Sequence, residues 1–149
     1  MFGVFGIVLA LLAMPVDSRT PAVSVADPVS GQVARFVRDL RAKDVADSMS
    51  LYADDAVFIN PDGSRFVGKR AIRSLYELVA ASFDSDITLQ TGSHARTATR
   101  AVEAGTFHEG LRSRKTGNTL VYRGTYRFTL ERDPRGRWLF TRVQWTLTS

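Results

Sequence analysis

The spacing of apolar positions changes along this chain and divides it into three regions. Phe2 to Ala13 is an almost unbroken apolar run. From Asp27 to Phe83 apolar residues recur mostly at helical spacing, and after Asp86 they alternate. The helical region opens at Asp27-Pro28, an N-cap followed by a proline at the first helical position, where its missing N–H does no harm. Val33, Phe36, Val37 and Leu40 then follow the i, i+3, i+4, i+7 pattern of one buried stripe, with Arg35, Arg38, Asp39 and Arg41 on the opposite face. A break at Ala42-Lys43 and a second cap, Asp44, start a short helix with Val45, Met49 and Tyr52 as its stripe, closed by Ala53-Asp54-Asp55. Asp54 and Asp55 read as capping and turn groups rather than paired catalytic carboxylates. A third helix runs from Lys69 to about Phe83, with Ile72, Leu75, Tyr76, Val79 and Phe83 on its buried side.

Between the second and third helices, Ala56 to Asn60 and Arg65 to Val67 read as two short strands. They flank Asn60-Pro61-Asp62-Gly63, a turn with proline pre-set for its second position. Four longer strands follow: Ile87 to Thr99, Ala101 to Arg112, Thr119 to Arg132 and Trp138 to Thr148. In the third of these, Leu120, Tyr122, Gly124, Tyr126, Phe128 and Leu130 share one face, and Val121, Arg123, Thr125, Arg127 and Thr129 share the other. In the last, Leu139, Thr141, Val143, Trp145 and Leu147 form one face. The order α-α-β-β-α-β-β-β-β predicts an α+β fold. In it a curved mixed or antiparallel sheet wraps around three N-terminal helices as a cone with one wet mouth.

The apolar run at the start is too short to span about 30 Å of hydrocarbon at about 1.5 Å per residue, so no stable membrane span is expected. Its length fits the apolar part of a secretory signal, and Ser24-Val25-Ala26 places small residues before Asp27. No Lys or Arg precedes the run, which is unlike such signals. The expectation is an exported protein, periplasmic or secreted, with a cytoplasmic location as the alternative. Residues 1–26 form the leader and linker, and 27–149 form one domain.

Composition narrows the chemistry. The chain has no cysteine and two histidines, His94 and His108, so disulfides, thiolate metal sites, a cysteine nucleophile and a three-histidine metal centre are all excluded. No metal-spaced ligand set, phosphate-cradling glycine loop or Ser-His-Asp order is present, and no cofactor is expected. The net charge is +5, and 17 of the 20 cationic residues are arginine. They are dispersed from Arg19 to Arg142 rather than clustered, which reads as a solvated basic surface, and nucleic acid is not expected as a partner.

Two segments carry a family resemblance. Leu51-Tyr-Ala-Asp-Asp-Ala-Val-Phe-Ile-Asn-Pro-Asp-Gly-Ser64 followed by Val67-Gly-Lys-Arg-Ala-Ile72 resembles the matching segment of nuclear transport factor 2-like proteins. That superfamily includes SnoaL-like polyketide cyclases and ketosteroid isomerase. Gly105-Thr-Phe107, Arg123-Gly-Thr-Tyr126 and Gly136-Arg-Trp138 are similar to its later strands. The resemblance covers about residues 28 to 148 and implies a cystatin-like roll. It implies no single activity, because this scaffold hosts isomerases, dehydratases, cyclases and non-catalytic modules. Carried over by position, the hydrogen-bonding tyrosine of ketosteroid isomerase falls on Phe36. Its general base falls on Asn60, and its late aspartic acid falls on or beside Gly124. None of these three side chains is able to perform the role.

Strand parity supplies the remaining candidates. Ala101, Glu103, Gly105, Phe107 and Glu109 share a face, which turns Glu103, and with it Glu109, toward the helices. Glu103 is the candidate acid or base, and Tyr52, Asn60, Tyr76, Glu103, Phe107, Tyr122, Tyr126 and Trp145 are the candidate ligand-binding set. The alternative is that Glu103 pairs with an arginine and the aromatic residues form a plain core. His94 and His108 read as surface or interface histidines. Three functions follow: binding of a small apolar molecule; a cofactor-free isomerase, dehydratase or cyclase using Glu103 with Tyr52 or Tyr126; or a non-catalytic interaction module. A homodimer is expected through the outer sheet face, where Arg123, Arg127, Arg142 and Gln144 stand.

Overall fold

The computed structural model describes residues 27–148, so the apolar leader and its boundary lie outside the described residues. Asp27 caps α1 (Pro28–Ala42) by accepting from the Ser30 N–H, and Pro28 opens the helix. Lys43 ends it in the left-handed region at φ 56°, its N–H bonding back to the Asp39 and Leu40 carbonyls. Asp44 then caps α2 (Val45–Ser50) through the Asp47 N–H.

The second helix is shorter than its apolar pattern predicts. The Phe140 N–H donates to the Leu51 carbonyl at 2.8 Å and draws the chain into the sheet, so Tyr52 begins β1 (Tyr52–Ile59) rather than completing a helical stripe. Asp54 and Asp55 are therefore exposed strand residues and not helix-end caps, and Asp54 pairs with Lys69 at 3.4 Å. The Asn60–Gly63 turn closes with the Gly63 N–H on the Asn60 carbonyl and leads into β2 (Arg65–Val67). Then follow α3 (Lys69–Ser82), β3 (Phe83–Arg96), β4 (Arg100–Ser113), β5 (Thr119–Arg132) and β6 (Trp138–Leu147). Phe83, read from sequence as helical, starts β3.

The six strands form one sheet in the order β2-β1-β6-β5-β4-β3. Neighbours are antiparallel except β1 and β6, which run parallel. The sheet does not close into a barrel, since β2 and β3 are its edges. It curves around the helices: Gln32 of α1 bonds the Trp138 carbonyl at 2.7 Å, and Arg41 of the same helix bonds the Ile87 carbonyl at 2.9 Å. Among the described residues no helix is long and apolar enough to cross a membrane.

Two predicted faces are shifted. Thr129 pairs with Arg142 but Leu130 with Phe140, so Thr141 is an extra residue in β6. This bulge turns Trp138 and Phe140 inward, at 4% and 0% exposure, and removes Leu139 and Thr141 from the core face predicted for them. The same residue count lets Val143 and Trp145 remain inside. In α1 the buried residues are Val29, Val33, Phe36 and Asp39, so Asp39 belongs to the inner surface although its pattern placed it outside. The centre of the core is aromatic: Phe36 packs on Phe128 and Phe140 with ring centroids 5.1 and 5.2 Å apart, and Phe128 lies 5.3 Å from Trp145.

Candidate functional site

Apolar side chains from the C-terminal half of α1, from α2 and from α3 face the inner surface of the sheet without filling the space between them. A cavity of about 540 Å³ remains. Phe36 and Leu40 of α1, Leu75 and Val79 of α3, Phe58 of β1, Phe107 of β4 and Trp145 of β6 form its apolar walls. The turn residues Asn60, Pro61 and Asp62 stand at its rim with Lys43, whose ammonium pairs with Asp84.

Few polar groups interrupt these walls. Glu109 enters from β4 and accepts a hydrogen bond from the Ser85 hydroxyl on β3 at 2.7 Å. Burial pushes its carboxyl above the ordinary value of 4.5, with the Ser85 bond pulling the other way. Tyr76 from α3 shares a 2.6 Å hydrogen bond with the Tyr52 hydroxyl. Both phenols are raised by burial, and the negative charges of Glu109 and Asp39 add to the rise at Tyr76. Asp39 and Ser48 also border the cavity, with Asp39 Oδ2 and Ser48 Oγ closed off from it. Asp39 is 2% exposed, and its carboxyl is raised by burial and by the neighbouring Asp47, against the pull of Arg38. Neither Asp39 Oδ2 nor Ser48 Oγ has a hydrogen-bond partner in the protein.

Glu103 lies at the other end of the same strand face and outside the cavity. It is 2% exposed and accepts from the Tyr126 and Thr91 hydroxyls, each at 3.0 Å. Burial pushes the Tyr126 hydroxyl up to about 12, Thr91 opposing this and Glu103 adding to it. His94 stands between carboxylates, its Nδ1 3.7 Å from Glu103 Oε2 and its Nε2 3.6 Å from Asp27 Oδ2. Ring packing of Tyr126 on Phe128, 4.5 Å between centroids, seals this end.

The structure thus brings together five of the eight candidate ligand residues: Asn60, Tyr76, Phe107, Tyr122 and Trp145 line the cavity. Tyr52 is fully buried and reaches the cavity only through its bond to Tyr76, while Glu103 and Tyr126 belong to the closed end. Parity places Glu103 inward as expected, yet an arginine is not its partner. His108 is exposed on the outer face. The positions carried over from ketosteroid isomerase are accounted for sterically. Phe36 is a core ring, Asn60 is at the rim, and a Cβ on Gly124 would lie 1.9 Å from the Thr146 carbonyl oxygen. Sequence reasoning missed Asp39, Ser48 and Ser85. Continuing the Leu89, Ile87 alternation back by two reaches Ser85, and Asp39 stands three residues from Phe36, so both signals were present.

Residues 33–139 match the SnoaL-like domain, and the chain belongs to that family. Among curated protein sequences none matches the chain. Solved structures share the fold at low identity. A ketosteroid isomerase-like protein from Erwinia carotovora atroseptica has a TM-score of 0.74 and 18% identity, over 81% of this chain and 94% of that one. A nuclear transport factor 2-like superfamily protein from Salmonella enterica serovar Typhimurium gives 0.74 and 17%, over 81% and 89%. A candidate scytalone dehydratase from Novosphingobium aromaticivorans gives 0.75 and 15%, over 82% and 83%.

Proposed function

We propose that the protein binds a small, largely apolar molecule in the space between its helices and its sheet. The cavity carries this reading. Its volume of about 540 Å³ falls within the roughly 300–1,000 Å³ common for small-molecule sites, and its walls are aromatic and aliphatic with a few convergent polar groups. Titration with naphthalenemethanol, followed by calorimetry, is expected to show one saturable site in the wild type. Val79→Trp, which places an indole in the cavity, is expected to abolish it. Absence of binding to the wild type, or equal binding to a folded Val79→Trp, overturns the reading.

A second reading, a cofactor-free isomerase, dehydratase or cyclase, is favoured by one observation. Glu109 is a carboxyl of raised proton affinity inside the cavity, suited to removing a proton beside a carbonyl group and returning it. Its role replaces the one first considered for Glu103. Incubation of indanone with the protein in deuterium oxide tests this: exchange of the α-protons above background, lost in Glu109→Gln, supports it, and background exchange rejects it.

The outer sheet face remains the surface we assign to self-association. Arg123, Arg127 and Arg142 are exposed there, with Gln144 beside Arg127 across the strand pair. Arg127→Glu is expected to halve the mass seen by light scattering. A monomeric wild type, or a dimer unchanged by the substitution, counts against it.

A further inference from the structure

The β4–β5 hairpin extends past the strand beside it. β6 ends at Leu147 opposite Gly124, and the Thr148 N–H makes a last bond to the Arg123 carbonyl. Among the described residues no strand pairs with Thr119–Tyr122 on that side. The other edge of the ribbon is held by β3, and its turn by the Arg114 N–H on the Ser82 carbonyl. Two large apolar side chains stand exposed on this overhang, Leu120 at 52% and Val121 at 57%, with Leu147 at 45% on the neighbouring strand. Successive strand residues point to opposite faces, so Leu120 and Val121 cover both sides of the ribbon. Leu120 pairs with Leu111 on the inner side, where Leu111, Tyr122 and Leu147 line the cavity. The overhang therefore borders the cavity.

The same segment is basic. From Arg112 to Tyr122 it carries Arg112, Arg114 and Lys115 and no acid, and all three cations are exposed. The acids opposite its root, Asp84 across from Arg112 and Asp86 across from Gly110, are taken by Lys43 and Arg41.

Cations beside exposed aliphatic side chains limit what the hairpin fits. A second copy in a symmetric contact would set three cations against three. A nucleic acid would use the cations but leave Leu120 and Val121 in water, and the one aromatic ring of the segment, Tyr122, lines the cavity instead of offering a stacking surface. A bilayer takes both: headgroup phosphates meet the cations, and the aliphatic groups enter the boundary between headgroups and acyl chains. We propose that the β4–β5 hairpin docks the protein peripherally on a lipid surface bearing anionic headgroups, through Arg112, Arg114, Lys115, Leu120 and Val121. The contact sets the cavity beside the lipid and does not depend on the cavity holding a ligand.

The full chain is tested on vesicles of phosphatidylcholine, alone or with roughly a quarter phosphatidylglycerol, in about 0.1 M salt. The apolar run of residues 2–13 is common to every variant, so the deciding readouts are confined to the hairpin. The wild type is expected to favour the anionic vesicles at least about tenfold in cosedimentation. At about fivefold per cation, Arg114→Glu with Lys115→Glu is expected to remove that preference. Leu120→Ser with Val121→Ser keeps the charge and is expected to weaken binding to anionic vesicles at least about threefold. All of these side chains are exposed, so none holds the core together. The chain has no cysteine, so a polarity-sensitive dye on Leu120→Cys reports on this site alone. Its emission is expected to shift to the blue on anionic vesicles. The same dye on Arg135→Cys, beyond the far end of β5 and about 40 Å of extended strand away, is expected to stay unchanged. No preference for anionic vesicles, or equal shifts of both dyes, overturns the proposal. Tight binding of polyuridine RNA, with vesicle binding indifferent to Leu120→Ser and Val121→Ser, replaces lipid by nucleic acid and overturns it as well.

Discussion

Glu103 and Glu109 stand on the same face of the same strand, and the molecule treats them in opposite ways. Glu103 is enclosed by hydroxyls from β3 and β5, with His94 closing the approach from the edge strand. Glu109 keeps one hydroxyl partner and a cavity. The difference comes from what the helices bring to each end. The first turns of α1 press Val29 and Val33 into the sheet, at 0% and 7% exposure, and leave no space near Glu103. At the other end the same helix presents Asp39 and Leu40, α3 presents Val79 and Ala80, and these small or short groups stand off from the strands. One end is a packed core around a carboxyl with two hydroxyl partners, and the other is a cavity bordered by a carboxyl with one. Polarity alone does not separate these two carboxyls; the completeness of their hydrogen bonding does.

The contrast breaks most visibly under truncation. Phe128→Ala removes a ring that is 0% exposed and packed against Phe36, Tyr126, Phe140 and Trp145, and is expected to cost about 4 kcal/mol in urea unfolding. Val79→Ala enlarges an existing cavity and is expected to cost less than about 1 kcal/mol, because its side chain forfeits fewer contacts. Similar losses at both positions would mean that the chamber is as tightly packed as the core.

The two glutamates give the smaller and sharper test. Glu103→Gln weakens two charge-assisted hydrogen bonds and is expected to destabilise by about 1–2 kcal/mol. Glu109→Gln acts with the other sign. The folded protein raises this carboxyl above its ordinary 4.5 and so binds its proton more tightly than the unfolded chain does. Wild-type stability therefore falls as pH rises from the ordinary value through the raised one, and the glutamine variant escapes that loss. Unfolding at about pH 4 and about pH 7 should show Glu109→Gln gaining on the wild type at the higher pH. A variant that loses ground there would place Glu109 with Glu103 among the satisfied structural carboxylates.

Much of this arrangement was readable from residue order. The caps at Asp27 and Asp44, the Asn60–Gly63 turn, the element order and the inward parity of β4 all follow from local rules that the tertiary structure keeps. The failures share a cause. Tyr52 left its helical stripe because Leu51 is bonded by β6, some ninety residues later in sequence. The Thr141 bulge depends on matching β6 to both β1 and β5, which no local period encodes. The charge of Asp39 predicts an outward position, whereas its spacing from Phe36 puts it on the inner edge of the helix. For the site, the aromatic walls and the inward turn of both glutamates are legible in the sequence, but not that Glu109 rather than Glu103 lines the cavity. Parity is local, whereas the separation of helix from sheet that makes a cavity is not.

The position of β6 bears on how the protein is made. The last strand of the described chain to leave a ribosome is an inner strand of the sheet, joining β1 to β5. Until it emerges, the helices with the β1–β2 hairpin and the β3–β4–β5 ribbon are two half-products, each with an unpaired strand edge and an uncovered aromatic face. Parallel pairing of β1 with β6 also requires contact across most of the domain's length, a slow event compared with hairpin closure. The nascent chain is thus most vulnerable to misassociation just before synthesis of this segment ends, and Trp138 and Phe140 are the residues whose arrival ends that exposure.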